Sequence, residues 1–204
     1  MESPLTEVEA RVVACLVEKE RTVPDTYPLS LNALVLACNQ SSNRDPVMSV
    51  TEGEVLSAID SLKARKFARV VHPVSGRGVT KYRHVLDEGL GLDAGELAVL
   101  AVLALRGPQT AAELRARTER LHDFADQAEV DTALDRLATL ALAQRLDRRP
   151  GEREARWIPT LTASGHVDVG PTDETVTRSE GNDLEARVAR LEEEVALLRQ
   201  ALLE

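Results

Sequence analysis

Aromatic residues are nearly absent from this chain, with one Trp, two Tyr and two Phe among 204 residues. A core built without them has to come from Leu, Val and Ala, which favours packed helices over a β-sandwich. Cysteine is just as scarce. Cys15 and Cys38 fall in predicted helices among apolar neighbours, and two such residues make neither a disulfide framework nor a metal spacing, so a reducing cytoplasm is the expected setting. No apolar run approaches the ~20 residues of a membrane span. The acidic start (Glu2, Glu7, Glu9) is unlike a basic, apolar signal segment, and a cytoplasmic location without membrane contact is expected. Motifs of catalysis are missing too: no Gly-rich phosphate loop closing on Lys-Ser/Thr, no His-Glu-x-x-His and no Cys-x-x-Cys. The four histidines (His72, His84, His122, His166) are scattered. His72 and His84 could pair across a hairpin, but two His alone make a weak metal site, and surface positions are the expected reading for both. The expectation is a protein that is not an enzyme and holds no metal or cofactor.

What is present suits a soluble globular chain, 43% hydrophobic and 29% charged, long enough for one large or two small domains. The net charge of −9 is unevenly spread, with −1 over residues 1–88, −2 over 89–166 and −6 over 167–204. Acidity confined mainly to the tail leaves room for a local basic patch.

Thr6 and Glu9 have the spacing of a capping box and open a first helix with Val8, Val12, Val13, Leu16 and Val17 on one face; Pro24 stops it. A second helix is predicted over residues 29–38, with Leu31, Leu34 and Val35 inward. The polar run 39–46 reads as a loop. Thr51 and Glu54 cap a third helix over 51–64, whose inward face is Val55, Ala58, Ile59 and Leu62, and a hairpin follows over 67–84, turning at Gly76-Arg77-Gly78. Between Ser61 and Leu86 there are seven basic residues and no acidic one. This helix-plus-basic-hairpin unit is the second half of a winged helix-turn-helix.

The pattern then restarts. Leu92-Asp-Ala-Gly-Glu96 echoes Leu5-Thr-Glu-Val-Glu9, Gly107-Pro108 ends the helix it opens, Thr110 with Glu113 caps the next, and Asp126 with Glu129 begins the third. Val55, Ala58, Ile59, Asp60 and Leu62 correspond to Val130, Ala133, Leu134, Asp135 and Leu137 at an offset of 75 residues. A second hairpin is predicted over 142–146 and 155–161, turning at Pro150-Gly151. Matching helices, caps and hairpin together mark an internal duplication. The predicted fold class is therefore mainly α with small β-hairpins: a first winged-helix domain over 1–88, a second over 89–162, a flexible linker over 163–183, and a coiled-coil helix over 184–204. In that last segment Leu184, Val188, Leu191, Val195, Leu198 and Leu202 alternate in steps of four and three. In a parallel pair, Arg187 would face Glu192 and Glu194 would face Arg199, so self-association is the expected role, against docking of the helix on its own domains.

Four stretches resemble the YceH-like family of uncharacterised bacterial proteins: Thr26-Tyr-Pro-Leu-Ser-Leu-Asn-Ala-Leu34, Cys38-Asn-Gln-Ser-Ser-Asn-Arg-Asp-Pro-Val-Met48, Arg120-Leu-His-Asp-Phe124 and Arg149-Pro-Gly-Glu-Arg-Glu-Ala-Arg-Trp157. The likeness spans residues 5–161 and the C-terminal helix. It implies tandem winged helices and no established activity; Trp157 stands where the resemblance leads one to expect Tyr.

Base readout in a helix-turn-helix needs Arg, Lys, Asn or Gln on the outward face of the third helix. Here that face carries Gly53, Ser57, Asp60 and Ala64 in the first copy and Ala128, Thr132, Asp135 and Thr139 in the second. A central carboxylate is repelled by phosphates, so sequence-specific readout is not expected. The candidate nucleic-acid-binding residues lie around the first hairpin instead: Lys63, Arg65, Lys66, Arg69, Arg77, Lys81 and Arg83, with Arg44 from the polar loop. The bland alternative is a solvated strand edge, and for the polar loop, turns closed on their own backbone. The second hairpin's arginines face Asp147, Glu152 and Glu154, and internal pairing is expected. Phe124 reads as a core anchor. Two functions follow: a dimeric regulator contacting double-stranded DNA through its first wing, or a protein-interaction scaffold that binds no DNA, as tandem winged-helix proteins such as the segregation and condensation protein ScpB are.

Overall fold

The computed structural model describes residues 4–73, 78–148 and 151–163. Arg77 and the first hairpin's turn, Arg149, nearly all of the linker, and the heptad residues Leu184 to Leu202 lie outside the described residues. Among those described the chain is mainly α-helical, with seven α-helices and two small antiparallel sheets. The elements are α1 (Glu7–Thr22), a 3-10 turn (Pro24–Thr26), β1 (Leu29–Ser30), α2 (Leu31–Cys38), α3 (Glu52–Ala64), β2 (Ala68–Val71), β3 (Lys81–His84), α4 (Leu86–Leu90), α5 (Ala94–Arg106), α6 (Ala111–Thr118), α7 (Gln127–Thr139), β4 (Ala143–Arg145) and β5 (Trp157–Pro159).

The caps read in the sequence set the helix starts. Thr6, Thr51, Asp93 and Thr110 each accept a hydrogen bond from the N–H three residues on, and the glutamate there accepts one from the cap N–H. Asp126 caps α7 through the Glu129 N–H. Each such cap satisfies donors that helix geometry leaves orphaned, worth about 1 kcal/mol. α2 starts two residues later than expected. Leu29 and Ser30 are extended and pair with Tyr82 and Lys81 of β3, and the Ser30 side chain then caps α2 by accepting from the Ala33 N–H. A second departure is α4, a helix that the sequence reading did not place. Gly89 permits it, because a Cβ there would come within 2.9 Å of the Phe67 ring.

Both halves run helix, short extended segment, helix, helix, hairpin. In the first, the sheet order is β1-β3-β2; in the second, β4 pairs with β5, and Gln109 bridges the far side of β5 at Trp157 as Leu29 pairs with Tyr82. The offset of 75 residues reaches past the third helix. Lys66 and Ala141 both hold positive φ (62° and 55°), and the residue after each donates to the carbonyl five back, Phe67 to Leu62 and Leu142 to Leu137, both at 2.8 Å. These are two copies of one left-handed helix stop, each made without the usual glycine.

The halves share a continuous core of Leu, Val and Ala, with α1 packed side by side against α5. Val12, Val13, Leu16, Leu100 and Leu103 are fully buried along this seam. The chain start is tied to the second half as well, the Leu5 N–H donating to the Leu161 carbonyl at 2.7 Å.

The polar loop 39–46 closes this arrangement. Arg44, expected as a DNA contact, is 6% exposed. Its guanidinium forks onto Glu18 of α1 at 3.1 and 2.7 Å and also donates to the carbonyl of Ala37 and to Gln40 Oε1. This corrects the sequence reading, because a guanidinium so occupied has no donor left for a phosphate. Arg11, 2% exposed, donates to the carbonyls of Cys38 and Pro46, and Cys15 Sγ donates to the Ala37 carbonyl. Asn39 clasps both backbone groups of Val50 at 2.8 Å. The loop then reaches α5, where the Asp45 N–H donates to the Leu105 carbonyl and Arg106 donates to Asn43 Oδ1. Burial opposes ionisation of Glu18, but the hydrogen bonds and charge of Arg44, with Lys19 beside it, outweigh burial and hold this carboxyl below its usual range.

Two stability measurements check this description. Arg44→Met leaves Glu18 buried without its partner and is expected to cost about 3–5 kcal/mol in urea denaturation. Pairing it with Glu18→Met should cost less than the sum of the two single changes. Because its folded-state pKa is depressed, Glu18 contributes stability above its unfolded pKa, lost as pH falls through the folded value; in Arg44→Met, where the guanidinium no longer outweighs burial, that acid-side loss should shrink or reverse in sign. Ala141→Gly, at positive φ, should stabilise by about 0.5–1 kcal/mol, while Ala138→Gly inside α7 should destabilise by a similar amount.

Candidate functional site

The first hairpin owes its character to strand alternation. On β3, Tyr82 and His84 turn into the core while Lys81 and Arg83 face out. The register sets Arg69 of β2 directly opposite Arg83. Like charges in that position repel, and α4 relieves them by supplying one carboxylate between the two: Glu88 lies 2.9 Å from Arg69 and 3.7 Å from Arg83. All three side chains remain about half exposed, so the contact is weak and screened by salt. Lys81, opposite Val71, and Lys66, at the stop of α3, have no ion-pair partner among the described residues.

The cations of α3 are engaged. Lys63 pairs with Asp60 at 3.0 Å, both exposed, so the carboxylate at the centre of the outward face is neutralised by its own helix. Arg65 donates to the Pro4 carbonyl at 3.4 Å, and its charge, after hydrogen bonds from Ser61 and Thr6, helps hold Glu9 low against the opposing effect of burial. Of the eight predicted residues, the structure thus gathers Lys63, Arg65, Lys66, Arg69, Lys81 and Arg83 around one hairpin and withdraws Arg44 into the core. Arg77 lies outside the described residues.

His84 differs from its sequence reading. It is 3% exposed and stands opposite Ala68, so it neither lies on the surface nor pairs with His72. Its Nε2 is 2.9 Å from Glu20 and its Nδ1 is 3.5 Å from Asp87, while its backbone N–H donates to the Tyr27 hydroxyl. Burial pushes the Tyr27 phenol well above its ordinary pKa, against the lowering effect of that hydrogen bond. No group of three metal-ligating side chains occurs among the described residues.

The second half presents a different surface. An open groove of about 820 Å³ lies between the outward face of α7 and the second hairpin. Its lining includes Asp131 and Asp135 from α7, Arg145, Arg148 and Arg153 together with Asp147 and Glu154 from the second hairpin, and Trp157. A smaller cavity of about 320 Å³ along α6 shares Ala112 and Gln127 with it. Phe124 lines the smaller cavity as a buried anchor, edge-on to His122 with ring centroids 4.5 Å apart. The internal pairing expected of this hairpin holds for Arg156, which meets Glu113 at 3.2 Å and Glu152 at 3.6 Å. That pairing and the Thr110 N–H, the larger influence, keep the Glu113 carboxyl low. Arg145, Arg148 and Arg153 have no carboxylate within ion-pair reach among the described residues. Sequence reasoning missed the groove because its walls come from three separated stretches.

Comparison with known proteins comes to the same uncharacterised group throughout. Residues 5–152 match the family model described as protein of unknown function, DUF480. A UPF0502 protein of Leptothrix cholodnii is 54% identical over 171 residues, covering 83% of this chain and 75% of its own. One from Dechloromonas aromatica is 45% identical over 205 residues, covering 98% and 95%. The UPF0502 protein YceH of Salmonella paratyphi A is 45% identical over 209 residues, covering 99% and 96%. With a family-model match over residues 5–152 and relatives matched over nearly its whole length, the chain belongs to the YceH-like DUF480 family of bacterial proteins of unknown function.

Proposed function

We propose that this chain is a non-enzymatic, cytoplasmic tandem winged-helix protein that contacts double-stranded DNA through the phosphates, using its first hairpin as the wing. The repeated order of three helices and a hairpin supports the fold assignment. One observation carries the functional part: Arg69, Lys81 and Arg83 share the outward face of the hairpin, with Lys66 beside them at the end of α3. Phosphate contacts of this kind position a protein on a duplex without reading sequence. The outward face of α3 supports the same restriction, since its central Asp60 is tied to Lys63 and no amide or guanidinium stands at its middle. A second reading, a protein scaffold that binds no DNA, is favoured by the carboxylates on the outward faces of α3 and α7. Self-association through residues 184–204 belongs to both readings and rests on the heptad sequence alone.

Titrating a short duplex with salt tests the wing. Affinity should fall steeply with salt, and Lys81→Ala should weaken binding evenly across sequences and lower the salt slope by about 0.9. Glu88→Gln, which releases Arg69 and Arg83, should strengthen binding. No binding to any duplex at low salt would leave the scaffold reading. Removing residues 184–204 should halve the mass seen by sedimentation, and an unchanged mass would exclude that segment as the dimer element.

A further inference from the structure

The groove of the second half holds charges that its own fold leaves unmatched. Asp135 is the counterpart of Asp60 at the offset of 75 residues, but the position that neutralises Asp60, Lys63, is Ala138 in the second half. Asp131 stands where the first half has Leu56, and Arg145 where it has Val70. The second half has thus replaced two apolar residues by charges of opposite sign, one on each side of a groove, and removed the lysine that would have quenched a third. The carboxylates of α7 and the guanidiniums of the hairpin line the same groove with no ion pair joining them among the described residues, and Asp131 accepts a hydrogen bond from the Gln127 amide at 3.3 Å. Exposed opposite charges held apart across about 820 Å³ are complementary to something placed between them.

We infer that this groove docks a polypeptide segment of alternating charge, with basic side chains facing Asp131 and Asp135 of α7 and acidic side chains facing Arg145, Arg148 and Arg153 of the second hairpin, whose wall also carries Asp147 and Glu154. The inference uses the other half of the molecule and is independent of DNA contact by the first wing. The charge pattern disfavours a nucleic-acid strand, because Asp131, Asp135, Asp147 and Glu154 outnumber Arg145, Arg148 and Arg153 in the lining and repel phosphates. It also differs from a small-molecule pocket, which is enclosed and mostly apolar with few polar groups. Charged side chains lining the groove beside the apolar Trp157, Ala111 and Ala112 suit a protein interface, which combines polar and aromatic residues.

Trp157 is the sole tryptophan of the chain, so intrinsic fluorescence reports on the groove without a label. The probe is a synthetic peptide of alternating Lys and Glu, added to the full chain at low salt, with oligolysine, oligoglutamate and a short DNA duplex as comparisons. The alternating peptide should shift Trp157 emission saturably and bind more tightly than either single-sign peptide. The paired change Asp131→Asn and Asp135→Asn should weaken it about tenfold, as should Arg148→Ala with Arg153→Ala. All four side chains are exposed, so the thermal melts of these variants should stay at the parent value, and retained folding makes the loss specific. The proposal is overturned by absence of any emission shift with the alternating peptide, or by equal affinity in the groove variants. It is likewise overturned if the duplex gives the same Trp157 response, or if sedimentation shows that the Asp131→Asn, Asp135→Asn pair separates two copies of the chain joined there. Loss of duplex affinity in the Lys81→Ala variant with peptide binding intact would separate the two halves' roles.

Discussion

The contact between Arg44 and Glu18 is the constraint on which the arrangement of the first half depends. Burying a guanidinium and a carboxylate is costly, and it is tolerated where geometry is good and the remaining donors are used. Here the fork is bidentate, and the rest of the guanidinium is taken up by the Ala37 and Asn43 carbonyls and by Gln40. Those partners come from α1, the end of α2 and the loop itself, so the pair fixes where the chain can go after α2. The next residues, Asp45 and Pro46, then bond to Leu105 of α5 and to Arg11 of α1. Two buried cations, Arg44 and Arg11, thereby set the path of the loop that joins α2 to α3 and rests against the second half.

The shared core makes this constraint reach further than one half. α1 and α5 present apolar stripes to each other, and Leu5 meets Leu161 at the edge. An apolar seam alone is non-directional and allows sliding. The polar loop, holding Asn43 to Arg106 and Asp45 to Leu105, gives the seam a register.

Much of this was legible in the sequence where the physics is local. Capping boxes at Thr6, Thr51 and Thr110, the buried face of α3, and its repeat on α7 depend on residues three or four apart, and each falls where spacing requires. What was not legible depends on neighbours distant in the chain. Arg44 in a polar loop reads as a surface donor until α1 brings Glu18 to it, 26 residues away. The hairpin reads as unopposed positive charge because Glu88 lies just beyond its end, and only α4, itself allowed by Gly89 against Phe67, folds that carboxylate over Arg69. Leu29 lies just before α2 in a run read as helical, yet pairs as a strand because Tyr82 offers it a backbone partner. The groove was invisible for the same reason, since no one of its walls is charged enough to stand out alone.

The duplication separates what the fold requires from what it leaves open. Val55 and Val130, Leu62 and Leu137, Ala68 and Ala143, and Tyr82 and Trp157 occupy matching places and are all buried. The outward positions diverge. Arg69 and Arg83, paired across the first hairpin, correspond to Gln144 and Ile158 in the second, so the second hairpin has no such cation pair and needs no Glu88. Conversely, Asp60 with Lys63 is a closed pair, whereas Asp135 with Ala138 is an open charge. Mutual burial of α1 and α5 keeps both cores apolar, but it places no condition on the far faces of α3 and α7. Because those faces are free of the core, one copy can carry a cationic hairpin beside a neutralised helix while the other carries a groove with opposite charges on its two sides. A single scaffold repeated within one chain can in this way hold two surfaces of unlike chemistry without altering its packing.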